Sequence, residues 1–214
     1  MKKIFLGYDL NKAPVYWGPL EKYSSILLTA LSGSGKSFIA DQIITTALKN
    51  SFTVFCISEK VYVDFKQKEV NKINPLTETE KLVEFITLIE AELLKLKNIV
   101  EQSDFTHIAK TNTSPKILII VDELWAISKI EKLVKLKFEN LCELIIRQGR
   151  YLGLYIMFIS QSSSTEESYI PIRQCSIILS GRTPTKQLSE SLFGTDICYS
   201  NPALKNRSEE RRVG

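Results

Sequence analysis

Five short apolar stretches recur along the chain, at residues 24–30, 52–58, 116–121, 154–160 and 175–180. Each is apolar or β-branched almost throughout, which is typical of parallel strands covered on both faces. Helical spacing of apolar residues follows over Thr79 to Glu101 and over Ile130 to Arg147. A first helical stripe comprises Phe38, Ile39, Ile43, Ile44, Ala47 and Leu48. This alternation predicts a three-layer α/β fold with a mostly parallel central sheet.

The composition of the chain fits one globular domain, with 214 residues of which 44% are hydrophobic and 24% charged. Its longest apolar runs, at residues 117–120 and 152–159, are far shorter than the ~20 residues of a membrane-spanning helix. The first residues turn polar too early for a signal peptide, so we expect a cytoplasmic protein. His107 is the single histidine, which argues against a histidine metal site or a Ser/His triad. The four cysteines show no CxxC spacing and are expected to be reduced and mostly buried.

The segment SGSGKS, residues 32–37, stands between the first strand and the first helical stripe. In that position successive backbone N–H groups and a helix N-terminus form a cradle for phosphates. We predict that the cradle comprises Ser32, Gly33, Ser34 and Gly35. Lys36 would reach the β- and γ-phosphates of ATP, and the Ser37 hydroxyl would bind Mg²⁺. A glycine-rich strand-to-helix turn without a ligand is the alternative interpretation.

Two carboxylates, Asp122 and Glu123, follow the apolar strand at residues 116–121 directly. Ligands bind at the carboxyl ends of strands in open α/β sheets. Asp122 fits the role of a Walker B residue that binds Mg²⁺, and Glu123 could polarise the water that attacks the γ-phosphate. Taken without the glycine-rich turn, Asp122 would be interpreted as a helix-capping residue.

Along the chain, a further strand at residues 52–58 comes between the strand that precedes SGSGKS and the strand that leads to Asp122. This order, together with the adjacent Glu123, resembles the additional-strand, catalytic-glutamate division of P-loop ATPases. Gln161 follows the next strand, in the position where such ATPases carry a polar sensor of the γ-phosphate. A solvent-facing loop glutamine is the alternative for Gln161.

Four stretches occur in the order SSILLTALSGSGKS, FCISEKVYVDF, IIVDELWAI and IIRQGRYLGLYIMFISQSSS. Together they resemble the motor domain of FtsK/SpoIIIE-type DNA translocases and related conjugative coupling ATPases, over roughly residues 20–193. The chain departs from that pattern at Ala30, where the family has glycine, at Ser58 and Glu59, and at Ser162. The resemblance implies a RecA-like P-loop NTPase that hydrolyses ATP with Mg²⁺.

The resemblance also implies a homo-oligomeric ring, commonly a hexamer, that threads double-stranded DNA through its centre. Each ATP site would then lie at a subunit boundary and receive an arginine from the neighbour. Arg150 matches the family's Gly-Arg element and is the first candidate, with Arg147 and Arg182 as weaker ones. A surface arginine is the alternative for all three.

DNA binding has a weaker signal in the sequence. The net charge is only +4, and lysines cluster at Lys66, Lys68 and Lys72 and again at Lys129, Lys132, Lys135 and Lys137. Such clusters suit contacts to the phosphate backbone, but a solvated helix surface gives the same pattern.

We expect a short hairpin lead-in over residues 1–20, an ATPase motor domain over residues 21–200 and an unstructured tail over residues 201–214. The tail ends in NRSEERRVG, which is typical of adapter read-through at the end of a sequence contig, so we expect the intact protein to continue past about Leu204.

An ATP-driven DNA motor from a mobile element or phage is the leading hypothesis. The alternative is a nucleotide-dependent switch that binds DNA or assembles and hydrolyses ATP weakly. A small-molecule kinase is less favoured, because no arginine-rich lid follows the strand of Asp122.

Overall fold

The computed structural model describes residues 4–8, 12–18, 22–59, 70–102, 116–160, 174–181 and 185–200. The strands within these ranges are β1 (Ile4–Tyr8), β2 (Pro14–Trp17), β3 (Ser25–Thr29), β4 (Phe52–Ile57), β5 (Val70–Ile73), β6 (Lys116–Asp122), β7 (Leu154–Ser160) and β8 (Ile177–Ser180). The helices are α1 (Lys36–Lys49), α2 (Thr79–Gln102), α3 (Leu124–Ser128), α4 (Lys132–Leu152), α5 (Lys186–Phe193) and α6 (Ile197–Ser200).

Six strands of the described part form one sheet in the order β5-β4-β6-β7-β3-β8, and every neighbouring pair is parallel. The five strands predicted from apolar runs are all present in it. β7 lies between β3, which leads into the glycine-rich turn, and β6, which ends at Asp122. The predicted three-layer α/β fold with a parallel central sheet is confirmed.

Both faces of the sheet are covered, which explains why the central strands are apolar throughout. Every residue of β6 and β7 is buried. One face packs against α2 and α4 through a cluster that includes Phe85, Phe138 and Ile145. The other face packs against α1 and against the antiparallel β1–β2 hairpin, whose Ile4 and Trp17 are fully buried. None of the helices in the described ranges is sufficiently long and apolar to span a membrane.

The structure corrects three details of the prediction. Phe38, expected in the buried stripe of α1, is 68% exposed, because the buried face of that helix runs through Ala40, Ile43 and Ala47 instead. The helix predicted over Ile130 to Arg147 begins at Lys132 and continues to Leu152. Strand β5 was missed, because its sequence VNKI has two exposed polar residues and offers no apolar run.

The extension of α4 depends on Gly149, which lies in its last turn. A Cβ atom on Gly149 would be 2.4 Å from the backbone oxygen of Leu154, the first residue of β7. No other residue type fits there without moving helix and strand apart. Gly153, with φ 73°, then ends the helix and starts the turn into β7. The Gly-Arg element therefore has a packing role at its glycine.

Candidate nucleotide-binding site

The glycine-rich turn leads from the carboxyl end of β3 into the N-terminus of α1. Gly33 and Gly35 have φ angles of 76° and 89°, which glycine adopts without the steric cost that side chains impose. Ser34 donates from both its backbone N–H and its hydroxyl to the carbonyl oxygen of Leu31, which closes the turn. Ser32, Gly33 and Gly35 are exposed. The turn is thus folded, and its outer surface is open at a helix N-terminus, where phosphate binding is favoured.

Lys36 is the first residue of α1, and its side chain extends back along the glycine-rich turn. Its ammonium group donates to the carbonyl oxygens of Ala30 at 2.6 Å and Leu31 at 2.8 Å, and the residue is only 8% exposed. A positive charge is therefore held inside the turn that would receive phosphates. Ser37, the next residue, is exposed at the start of the helix.

Asp122 and Glu123 lie at the carboxyl end of β6, and each is at most 4% exposed. The Ser58 hydroxyl, at the end of the neighbouring β4, donates to Asp122 Oδ2 over 3.3 Å. Ser58 replaces the acidic residue expected from the family pattern, so a neutral donor instead of a second carboxylate stands beside Asp122. Sequence patterns do not predict this contact, since it depends on β4 and β6 being neighbours.

Cys56, on the same strand as Ser58, responds to this buried charge. Burial chiefly, and the negative charge of Asp122 secondarily, raise the pKa of its thiol to about 12. The thiol is therefore neutral at physiological pH, which makes it a poor nucleophile. Cys56, Cys142 and Cys175 are buried free thiols, and their burial agrees with the prediction.

Glu123 has an unusual backbone conformation. Its φ of 61° and ψ of 79° lie in the left-handed region, which costs a non-glycine residue about 1 kcal/mol or more. The other described non-glycine residues with positive φ, Lys12 and Ser51, are exposed, whereas Glu123 is buried. Such strain at a buried carboxylate is typical of functional sites, where the surrounding structure imposes the orientation of a side chain.

The end of β7 connects the two motifs through its backbone. The N–H of Glu123 donates to the carbonyl oxygen of Ile159 over 3.0 Å, and the N–H of Ala30 donates to that of Ser160 over 3.4 Å. Since neighbouring strands lie about 4.8 Å apart, β3 and β6 are separated by about 10 Å. The turn and the carboxylates thus lie at the same edge of the sheet with a fixed gap between them, which suits the phosphate end of a nucleotide and an ion.

A cavity of about 270 Å³ adjoins the turn on the side of the β1–β2 hairpin. Its walls are mostly apolar and include Leu6 and Val15 of the hairpin and Leu179 of β8, with Ser34 and Lys36 at the turn. The described residues hold no group of three or more His, Cys, Asp or Glu side chains that could bind a metal ion. Mg²⁺ bound near Asp122 would therefore need phosphate oxygens and water as further ligands, which is its usual mode with nucleotides.

Arg150 does not lie at this edge. It belongs to the last turn of α4, which leads into the amino end of β7, whereas the glycine-rich turn and Asp122 lie at the carboxyl end. The seven residues of β7 span about 20 Å. The guanidinium group of Arg150 donates to the Tyr151 hydroxyl and lies 4.5 Å from the centroid of the Tyr151 ring. Within one chain the structure does not bring Arg150 to the candidate nucleotide site. A contact with a neighbouring subunit's site stays a prediction, with a surface arginine as the alternative.

Several predicted positions fall outside the described residues. They are Gln161, Arg182, His107, Lys66, Lys68 and the tail at residues 201–214. Of the basic clusters, Lys129, Lys132 and Lys137 are exposed, whereas Lys135 is mostly buried and lies 3.9 Å from the buried Glu139.

Comparisons with known proteins agree with this geometry. No protein-family model matches the chain. It is 24% identical to the DNA translocase FtsK of Halalkalibacterium halodurans over an alignment of 184 residues, which covers 75% of this chain and 23% of FtsK. The structure superposes on the pCW3 conjugation coupling protein TcpA, solved with ATPγS, with a TM-score of 0.78 and 18% identity. That match covers 92% of this chain and 58% of TcpA.

The chain has the fold of FtsK/SpoIIIE-type motor domains. The cytoplasmic domain of the type VII secretion ATPase EccC from Thermomonospora curvata shares it, with a TM-score of 0.71 and 17% identity over 94% of this chain and 26% of EccC. The predicted resemblance to FtsK-type P-loop ATPases is thereby confirmed. The chain spans about a quarter of the length of FtsK and a little over half of TcpA.

Proposed function

We propose that the chain is a Mg²⁺- and ATP-dependent motor that moves double-stranded DNA, and that its nucleotide site lies between the glycine-rich turn and the end of β6. The observation that carries the proposal is the backbone connection through β7, which fixes Lys36 and Glu123 on opposite sides of one gap. An adventitious glycine-rich turn would not need a strained, buried glutamate two strands away at the same edge of the sheet.

The chain's own residues supply most of the chemistry. The turn's exposed N–H groups would bind the phosphates, and the ammonium of Lys36 would neutralise their charge. Ser37 and Asp122 would hold Mg²⁺, which stabilises the charge that develops on the γ-phosphate. Ser58 fixes the orientation of Asp122 by its hydrogen bond. Glu123 would orient a water molecule for attack, and Gln161 is proposed as the sensor of the γ-phosphate.

The DNA substrate is supported by the relatives and by charge. FtsK is a DNA translocase and TcpA a conjugation coupling protein, although EccC, which has the same fold, is a secretion ATPase. The exposed lysines around the start of α4 could contact the phosphate backbone without reading bases. A mobile-element or phage origin, a cytoplasmic location and the domain limits at residues 20 and 200 stay predictions.

Steady-state ATP hydrolysis, measured with and without duplex DNA, tests the function. We expect several-fold faster phosphate release with duplex DNA and no such increase with heparin, a polyanion that lacks base pairs. Raising the salt concentration should remove the stimulation, because contacts to the DNA backbone release counterions. Slow turnover that DNA leaves unchanged would favour the alternative, a nucleotide-dependent switch, which the Ala30 departure in the glycine-rich turn also suggests.

Arg150 gives a test of ring assembly. If it acts on the neighbour's site, mixing Arg150→Ala subunits with Lys36→Ala subunits should partly restore turnover, because some sites then combine an intact Lys36 with an intact Arg150. The matched control mixes Lys36→Ala with Glu123→Gln, since both residues belong to the same chain's site and no intact site can form. If differently tagged subunits co-assemble but turnover recovers in neither mixture, Arg150 does not act on the neighbour's site.

A further inference from the structure

The glycine-rich turn begins with Ala30, and its methyl group lies against Gly181. A Cβ atom on Gly181, which follows the last residue of β8, would be 2.8 Å from the Ala30 Cβ. Real carbon atoms of this type do not approach so closely, so the two positions cannot both carry a methyl group without a shift. Ala30 is only 2% exposed, and the direction of its methyl group is set by the backbone, so the methyl group cannot turn away from Gly181.

Both residues are also tied to the sheet by their backbones. The Gly181 N–H donates to the Thr29 carbonyl oxygen over 2.9 Å, and the Ala30 N–H donates to that of Ser160. Neither residue can move away without breaking one of these bonds. Moreover, the Ala30 carbonyl oxygen accepts the 2.6 Å hydrogen bond from Lys36. Any displacement of Ala30 is therefore passed directly to the ammonium group that would bind the phosphates.

We propose that Gly181 is a positioning residue for the glycine-rich turn: its missing side chain accommodates the Ala30 methyl group and thereby keeps Lys36 in place for the nucleotide. The inference rests on the proposed nucleotide-binding function. It explains how this chain retains a folded turn although alanine replaces the usual first glycine. The φ angle of Gly181 lies outside the left-handed region, so an alanine there would meet a steric obstacle and no backbone strain.

A four-member cycle tests this pair: the parent, Gly181→Ala, Ala30→Gly and the double variant. The measurements are the dissociation constant of a fluorescent ATP analogue and the thermal unfolding midpoint without nucleotide. Gly181→Ala is expected to weaken nucleotide binding about tenfold or more, since overpacking must displace Ala30. Ala30→Gly removes the methyl group and keeps the carbonyl oxygen that accepts from Lys36, so it gives the reference affinity for a turn without that methyl group. The double variant, which has one methyl group at the same contact, should return to within about threefold of the parent.

The rescue separates two mechanisms, because Gly181 also lines the cavity beside the turn. If its new methyl group obstructed the nucleotide directly, removal of the Ala30 methyl would not help, and a double variant as weak as Gly181→Ala would overturn the proposal. Parent-like binding by Gly181→Ala would overturn it as well. If Gly181→Ala does not fold, a double variant that folds and binds supports the pair, and one that also fails to fold refutes it.

Gly194→Ala is the matched control for general destabilisation. Gly194 follows α5, has φ 69° and would have no atom within 4 Å of its Cβ, so alanine there strains the backbone without touching the turn. It should lower the unfolding midpoint but leave nucleotide affinity unchanged. Equal loss of affinity in Gly194→Ala and Gly181→Ala would contradict a positioning role. If the parent itself binds no nucleotide, the proposed function fails, whereas the thermal midpoints of the cycle still test the steric pair.

Discussion

Glu123→Gln is expected to lower ATP turnover by about 10²- to 10⁴-fold, which is the usual effect of losing a general base. Glutamine has nearly the same shape and removes the basic carboxylate, so the buried position at the end of β6 should stay packed. ATP binding should persist, because Lys36 and the glycine-rich turn are unchanged. Binding to duplex DNA should be at least as tight as in the parent, since the ATP-bound state cannot turn over. Phosphate release and the dissociation constant for ATP, measured on the same preparation, check both expectations.

The matched control is Glu90→Gln on α2, an exposed glutamate far from the glycine-rich turn. It should hydrolyse ATP at the parent's rate. Turnover in Glu123→Gln equal to that of Glu90→Gln would mean that Glu123 does not take part in hydrolysis. The strained backbone at Glu123 would then need another explanation, and the switch hypothesis would be favoured over the motor.

Lys36→Ala is expected to reduce ATP affinity by at least about 100-fold, because it removes a charge-assisted contact to the phosphates. It also removes the hydrogen bonds to the carbonyl oxygens of Ala30 and Leu31 that hold the turn together. Affinity for a fluorescent ATP analogue should therefore fall together with turnover. This distinguishes Lys36→Ala from Glu123→Gln, in which only turnover is lost.

Lys49→Ala provides the control for this variant. Lys49 lies in the last turn of the same helix and is exposed, so it carries the same charge without contact to the turn. It should bind ATP as the parent does. Circular dichroism should show that Lys36→Ala stays folded at the temperature of measurement. Unchanged ATP affinity in a folded Lys36→Ala protein would rule out the glycine-rich turn as the nucleotide site.

Local patterns in the sequence were sufficient to identify five of the six strands in the described sheet. Apolar runs identified β3, β4, β6, β7 and β8, because strands covered on both faces must be apolar at nearly every position. The glycine-rich segment before a helical stripe predicted a strand-to-helix turn, and Gly33 and Gly35 adopt positive φ angles in it. The carboxylates after an apolar strand were predicted to lie at the carboxyl edge of the sheet, and Asp122 and Glu123 are at that edge. Each of these features depends on residues that are neighbours in the chain.

Edge elements and helix limits were harder to predict. Among the described strands, β5 is a short edge strand that pairs with β4 alone. Its Asn71 and Lys72 are exposed, so its sequence lacks the apolar pattern of a buried strand. The stripe assigned to α1 included Phe38, because helical spacing alone does not say which side of the first turn faces the sheet. α4 passes through Gly149 to Leu152, although glycine within a helix normally lowers helix propensity. At Gly149 the close approach of α4 to β7 outweighs the low helix propensity of glycine.

The sequence by itself indicated most of the strands and helices and the residues proposed to bind phosphates, because periodicity, turn residues and strand ends are local properties. Only the tertiary structure decided which of those residues meet. The contact between Ser58 and Asp122 requires β4 beside β6, and the contact between Ala30 and Gly181 requires β8 beside β3. Strand order is a matter of which apolar faces pack together, and a single strand's sequence carries almost no information about its neighbour. For the same reason, the sequence indicates Arg150 as a candidate, but only the structure shows that it lies at the opposite edge of the sheet from Lys36.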